Sequence, residues 1–170
     1  MKIQSIITDH TLIINELEKS IKFYNWDFLL SFLPKGTFLV GGYIRDIILR
    51  RMDSKVDIDL VVPSNALDLG KRIADKCAGK FIILDEKRGV ARIIINQVVI
   101  DIATQISSTI EGDLKRRDFS INAIAFCFDK QCLIDPLNGI KDIELSLIRT
   151  FSKKNLIDDP LRILRCFRFV

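Results

Sequence analysis

The chain has 170 residues, 48% hydrophobic and 28% charged, a balance that supports one ordinary core and excludes a disordered or low-complexity chain. A formal net charge of +4 excludes an overwhelming basic field, but the positive residues cluster at Arg50-Arg51, Lys115-Arg116-Arg117, Lys153-Lys154 and Arg162/Arg165/Arg168, as either phosphate-steering patches or solvated faces. No apolar run reaches the roughly 18–20 residues of a membrane helix and MKIQSIITDHT lacks the features of a signal peptide, so a cytoplasmic protein with no membrane contact is expected.

Residues 12–32 carry apolar side chains at helical spacing and run into Pro34 and Gly36, which predicts one or two helices ending there. TFLVGG predicts a short strand stopped by Gly41 and Gly42, and YIRDIILRRM a helix with Ile44, Ile47 and Ile48 on its inner face. VDIDLVVP alternates aspartate with aliphatic residues and closes at Pro63, the pattern of a strand with one polar edge or end. Asn65 is placed to cap a helix running to about Cys77. Three β-rich runs follow, KFIIL, VARIIINQ and VVIDIAT, then a polar connection over residues 105–117. INAIAFCF and CLIDP predict a strand pair around Asp129-Lys130, LNGIKDIEL a short helix, and LSLIRT a last short strand.

From Asp158 onward, DDPLRILRCFRFV has an acidic start, a proline in the first turn and apolar Leu161, Leu164 and Phe167, which predicts a helix beginning there. That apolar stripe must bury against something, so docking to a further helical domain or self-association is expected. Cys77, Cys127, Cys132 and Cys166 form no CxxC pair and sit in apolar contexts, so free, buried thiols are expected rather than a disulfide or a zinc site.

Two glycines between a strand and a helix let the backbone approach a ligand closely and leave free amides for an anion, so Gly41-Gly42 is either a phosphate seat or plain turn chemistry. Asp57 and Asp59 are more informative. Residues two apart on a strand share a face, and the two carboxylates repel unless a cation lies between them. Hard oxygen ligands of this kind suit Mg²⁺ together with substrate phosphates; the alternative is a wet strand face. Asp101, on another expected inner strand, either completes the metal site, acts on an attacking hydroxyl, or marks a solvated strand end. With two metals, one would lower the pKa of a 3′-hydroxyl and the other would hold the triphosphate and departing pyrophosphate.

In order, GGYIRD, DIDLVV, RRDFSINAIAF, IDPLNGIKDIELSLIRT and DDPLRILRCFRF resemble the motifs of bacterial-type tRNA nucleotidyltransferases and poly(A) polymerases, from about Phe38 to Val170. The resemblance implies an α+β nucleotidyltransferase fold of the DNA polymerase beta-like superfamily, a mixed β-sheet flanked by helices. It implies a head over residues 1–150 and the first helix of a helical neck over 151–170. It assigns Gly41, Gly42, Arg45 and Asp46 to the triphosphate, Asp57 and Asp59 to two Mg²⁺ ions, and Arg117, Asp118 and Asn122 to the nucleotide's ribose and phosphates. Read from the residues alone, Asp118 is equally a helix cap.

The resemblance further implies that Asp159 and Arg162 pair with the base edge of CTP or ATP; taken alone, their i, i+3 spacing also suits a surface ion pair. Asp158 stands where the family usually has Glu. Only Gln105 to Arg116 separate the Asp101 strand from RRDF, where the family often carries a longer flexible loop, and this is similar to members that add only the two C residues. The implied activity is transfer of CMP, AMP or both to the 3′ end of tRNA. The alternatives are a poly(A) polymerase, a small transferase acting on a protein or drug, and a non-catalytic nucleotide-binding head.

Overall fold

The computed structural model describes residues 6–24, 26–51 and 56–169. In chain order the elements are α1 (His10–Phe23), α2 (Asp27–Leu30), β1 (Phe38–Val40), α3 (Gly42–Ile48), β2 (Val56–Val62), α4 (Ala66–Lys76), β3 (Lys80–Asp85), β4 (Val90–Ile95) and β5 (Val98–Thr104). They continue with α5 (Ile110–Leu114), β6 (Ala125–Cys127), β7 (Cys132–Ile134), α6 (Gly139–Glu144), α7 (Lys153–Asp158) and α8 (Leu161–Arg165). Single 3₁₀ turns lie at Ser120–Asn122 and Cys166–Arg168.

The seven strands form one sheet in the order β3-β4-β5-β2-β1-β6-β7. Only β2 and β5 run parallel, so the sheet is mixed, as expected. Period-two alternation then sorts the side chains. Ile58 and Leu60 of β2, Ile100 and Ile102 of β5 and Leu39 of β1 point toward α1, α3 and α4, whose Ile13, Leu17, Ile44, Ile47, Leu69 and Ile73 complete the main core. The opposite face carries a smaller cluster in which Ile110 and Leu114 of α5 cover Val40, Val61 and Ala125. Beyond α5 that face carries Asp57, Asp59, Arg92 and Asp101 among aliphatic neighbours such as Val99 and Ile94. No helix among the described residues is long and apolar enough to cross a membrane.

The structure departs from the sequence reading in five places. The connection over residues 105–117 holds α5, capped by the Thr109 hydroxyl, which accepts from the Gly112 N–H at 3.2 Å. Its two buried apolar residues, Ile110 and Leu114, lie i, i+4, too few to stand out against a polar background. Asn65 is the N-cap residue of α4 but sits in the left-handed region (φ 54°) with no side-chain cap bond; the Thr104 hydroxyl accepts from the Ala66 N–H instead, at 3.2 Å. LSLIRT forms no strand. It is held by the Ser120 N–H donating to the Arg149 carbonyl at 2.8 Å and by the Arg149 guanidinium on buried Asp142, which satisfies those groups without a ladder.

The helix expected from Asp158 is broken in two. Ser152 caps an earlier turn by accepting from the Lys154 N–H at 3.1 Å, Asp158 ends α7, and Asp159 is extended (φ −147°, ψ 89°), the conformation a following proline enforces. All four cysteines are free, but only Cys127 is buried and the other three are half-buried.

Gly139 opens α6 against the Ser120 backbone. A Cβ added there would overlap the Ser120 carbonyl, which has no flexible side-chain end to move aside. Gly139→Ala is expected to cost roughly 1–3 kcal/mol and lower the melting temperature by several degrees; an unchanged melt would show that the two segments can separate freely.

Candidate active site

The polar face of the sheet is assembled by strand register. In the parallel β2–β5 pair Asp59 lies beside Asp101, and in the antiparallel β1–β2 pair it lies beside Val40, so the residue after Val40, Gly41, arrives next to the Asp59 carboxylate. Asp57 shares the face of Asp59, as the spacing predicts. β2 is central, with β5 on one side and β1 on the other. Burial raises the Asp59 carboxyl above its ordinary range; nearby Arg117 opposes this, and the neighbouring Asp101 and Asp57 charges reinforce it. Neither Asp57 nor Asp59 makes a hydrogen bond or ion pair with another described residue, whereas both oxygens of Asp101 are taken by Arg92, at 2.7 Å from Nε and 2.8 Å from Nη2. Among the described residues no three His, Cys, Asp or Glu side chains stand close enough to form a ready-made metal cage.

Gly41 has φ 83° and ψ −137°, a region essentially closed to residues with a Cβ. A Cβ there would lie 2.8 Å from Asp59 Oδ2 and 2.9 Å from Arg117 Nη1. The chain therefore turns between the acid and the arginine. Gly42 opens α3, and the first turn of α3 carries Arg45, whose Nε and Nη2 bind Asp46 at 3.0 and 2.8 Å and whose Nη1 binds the Asn122 side chain at 2.6 Å. Arg45 also lies 4.8 Å from the centre of the Phe169 ring. Its guanidinium thus ties α3 to the RRDF segment and to the end of the chain.

Asp118 is buried. Its Oδ1 accepts from the Phe119 N–H at 2.8 Å and from Asn122 Nδ2 at 3.2 Å, so Asp118 is not the helix cap expected as an alternative: the 3₁₀ turn that follows has Phe119 as its N-cap residue and no side-chain cap bond. Its Oδ2 faces Arg165 Nη2 at 3.2 Å but has no hydrogen-bond partner. Burial lowers the pKa of Arg117, against the pull of Asp59 and Asp118, yet arginine stays charged at neutral pH. Asn155 of α7 donates to the carbonyls of Lys115 and Arg117 at 2.8 and 2.9 Å, and Arg162 Nη1 donates to those of Arg116 and Asn155 at 2.9 and 3.1 Å. These bonds stitch the C-terminal segment to the RRDF segment.

The result is a cavity of about 890 Å³ whose walls hold eight arginines against five aspartates, an excess that favours a polyanion. It brings together ten of the sequence-derived residues: Gly42, Arg45, Asp46, Asp57, Asp59, Asp101, Arg117, Asp118, Asn122 and Arg162. Gly41 touches it through Asp59 and Arg117. Asp159 does not line it; its carboxylate accepts from the Leu161 N–H at 3.2 Å and lies 3.5 Å from Arg162 Nε.

Sequence reasoning missed Phe169 and Arg92 and left Arg50, Arg51, Arg165 and Arg168 as mere charge clusters, although all six line the cavity. Arg92 was findable. The two-residue turn at Asn96-Gln97 pairs Ile95 with Val98, and counting back along the hairpin puts Arg92 opposite Asp101.

The chain is similar to several known proteins. The family model described as the poly A polymerase head domain matches residues 37–108 and 104–149. A CC-adding tRNA nucleotidyltransferase of Synechocystis sp. is 41% identical over 141 residues, covering 83% of this chain and 34% of that protein. An A-adding tRNA nucleotidyltransferase of Deinococcus radiodurans is 38% identical over 137 residues, covering 81% of this chain and 30% of that protein. Among solved structures, the Thermotoga maritima CCA-adding enzyme complexed with tRNA superposes with a TM-score of 0.67 at 39% identity, covering 78% of this chain and 32% of that one. The chain thus spans about a third of the length of these relatives. With the nucleotidyltransferase fold and the ordered motifs both in place, the chain belongs to the poly(A) polymerase head-domain family.

Proposed function

We propose that the chain supplies the catalytic head, residues 1–150, and the opening of a helical neck, residues 151–170, of a metal-dependent tRNA nucleotidyltransferase that adds CMP, AMP or both to the tRNA 3′ end. The observation that carries this reading is the row of Asp57, Asp59 and Asp101 on an open sheet face beside an arginine-rich cavity, with Gly41 turning between Asp59 and Arg117. The names of the Synechocystis and Deinococcus relatives, one CC-adding and one A-adding, support tRNA as acceptor and CTP or ATP as donor.

The donor set fits Mg²⁺. Asp57 and Asp59 offer hard oxygens with no competing partner, burial makes an uncompensated charge on Asp59 costly, and two carboxylates leave room for phosphate oxygens and water, the usual Mg²⁺ environment. Two Mg²⁺ ions, once bound, would stabilise charge on the attacking and leaving oxygens. The chain's own groups do the rest. Arg117, the Gly41-Gly42 turn and the α3 segment at Arg45-Asp46 position the triphosphate, while Asn122 and Asp118 Oδ2, which is ion-paired with Arg165 but accepts no hydrogen bond, receive the ribose hydroxyls.

Asp101 accepts a hydrogen bond from the acceptor 3′-hydroxyl and orients it. The hydroxyl oxygen forms a bond to the α-phosphorus, the bond from that phosphorus to the bridging oxygen breaks, pyrophosphate leaves with the electron pair, and the hydroxyl proton passes to water. Arg162 presents its free donors to the base edge, with Asp159 beside it as acceptor. Exposed Leu161, Leu164 and Phe167, at 69%, 62% and 71%, support docking of a helical domain or self-association there.

Incubation with Mg²⁺, CTP and a tRNA lacking its CCA end is expected to add two C residues, with little untemplated A-tailing of unrelated RNA; vigorous A-tailing would instead favour a poly(A) polymerase. Arg162→Ala is expected to narrow the preference for CTP over UTP by about tenfold while changing triphosphate binding little. An unchanged preference would remove Arg162 from base selection.

A further inference from the structure

We propose that Arg92 is a positioning residue of the transfer site: by occupying both oxygens of Asp101 it withholds this carboxylate from the cation seat at Asp57 and Asp59 and keeps it oriented for the acceptor hydroxyl. The inference rests on the reading of the site as a transfer centre. Its ground is geometric. Arg92 on β4 and Asp101 on β5 are directly opposite in an antiparallel hairpin, so the backbone ladder itself delivers the guanidinium to the carboxylate. The two bonds, 2.7 and 2.8 Å, form a planar fork on a carboxylate only 26% exposed, unlike the single-contact surface pairs elsewhere on the chain such as Lys19–Glu16.

Asp101 lies beside Asp59 in the parallel pair, and without the fork it would be free to turn toward Asp59 and Asp57 and complete the three-acid cage that the described residues do not form as they stand. Three free carboxylates would bind a divalent cation tightly in the absence of nucleotide. Two bind it weakly, so the cation is retained chiefly when a triphosphate contributes further oxygens. The clamp therefore links cation retention to nucleotide arrival and reserves Asp101 for a different task.

This predicts opposite signs for two measurements on one variant. In Arg92→Ala, Mn²⁺ affinity without nucleotide, read by electron paramagnetic resonance, is expected to rise about tenfold, while kcat falls about tenfold and the nucleotide KM changes little. The gain in affinity is expected to disappear in the double variant Arg92→Ala/Asp101→Asn. Arg92→Lys, which keeps the charge but not the fork, is expected to follow Arg92→Ala in direction and provides the readout should the alanine variant melt early.

Mn²⁺ affinity that stays level or falls in both variants would overturn the proposal, because a group that merely supports the acids loses affinity when removed. The proposed function fails separately, by absence of transfer in the wild-type chain, and the Mn²⁺ comparison is decided whether or not that chain turns over.

Discussion

Asp59→Asn is expected to lower nucleotide transfer on the order of 10³-fold while leaving the metal-free protein as stable as the wild type at neutral pH, or more so. The activity loss follows from removing one of two carboxylates that seat the cations, whose stabilisation of transition-state charge is worth several kcal/mol. The stability effect has the opposite sign because burial and the Asp57 and Asp101 charges raise the Asp59 pKa above its ordinary value of 3.8. The native state then binds the proton more tightly than the unfolded chain does. The contribution of Asp59 to stability is therefore full below that ordinary value and is lost as pH rises through the folded one. Neutral Asn escapes the loss, so its advantage in melts with EDTA should be present at about pH 7.5 and shrink toward about pH 4. Retained activity would remove Asp59 from the cation seat, and a markedly lower neutral melt would show that its charge is compensated within the apo fold.

Gly41→Ala is expected to damage both fold and activity. A residue with a Cβ at φ 83°, ψ −137° costs about 1–3 kcal/mol in backbone strain. The new methyl would also press on Asp59 Oδ2 and Arg117 Nη1, each under 3.0 Å away. Both are ends of side chains and can yield, but only by leaving the positions proposed for cation and triphosphate. Transfer should fall by about 100-fold, beyond what the lowered melting temperature explains at the assay temperature. A variant that loses stability yet keeps wild-type kcat and KM would show that Asp59 and Arg117 need not hold these positions.

The sequence made the polar face legible because its signals are short-range. Asp57 and Asp59 needed only the two-residue strand period, and Gly41-Gly42 needed only their place between a β-rich run and a helical one. What stayed hidden depended on pairing across distance. That Asp59 lies beside Asp101, and Gly41 beside Asp59, follows from the order β5-β2-β1, which no local pattern states. LSLIRT has strand composition but is fixed by the ion pair of Arg149 with buried Asp142, so tertiary contacts overrode propensity. The break at Asp159 is readable in principle, since Pro160 disfavours helical geometry in the residue before it, but an acidic start followed by proline has the same signature as a helix beginning at Asp158.

A crystal structure of the chain with Mn²⁺ and a non-hydrolysable CTP analogue would decide whether Asp57 and Asp59 seat the cation. The expected result is anomalous density for Mn²⁺ bridged by the carboxylates of Asp57 and Asp59, with the triphosphate against Gly42 and Arg117. Nucleotide bound elsewhere, or Mn²⁺ held without Asp57 and Asp59, would remove these residues from the transfer site.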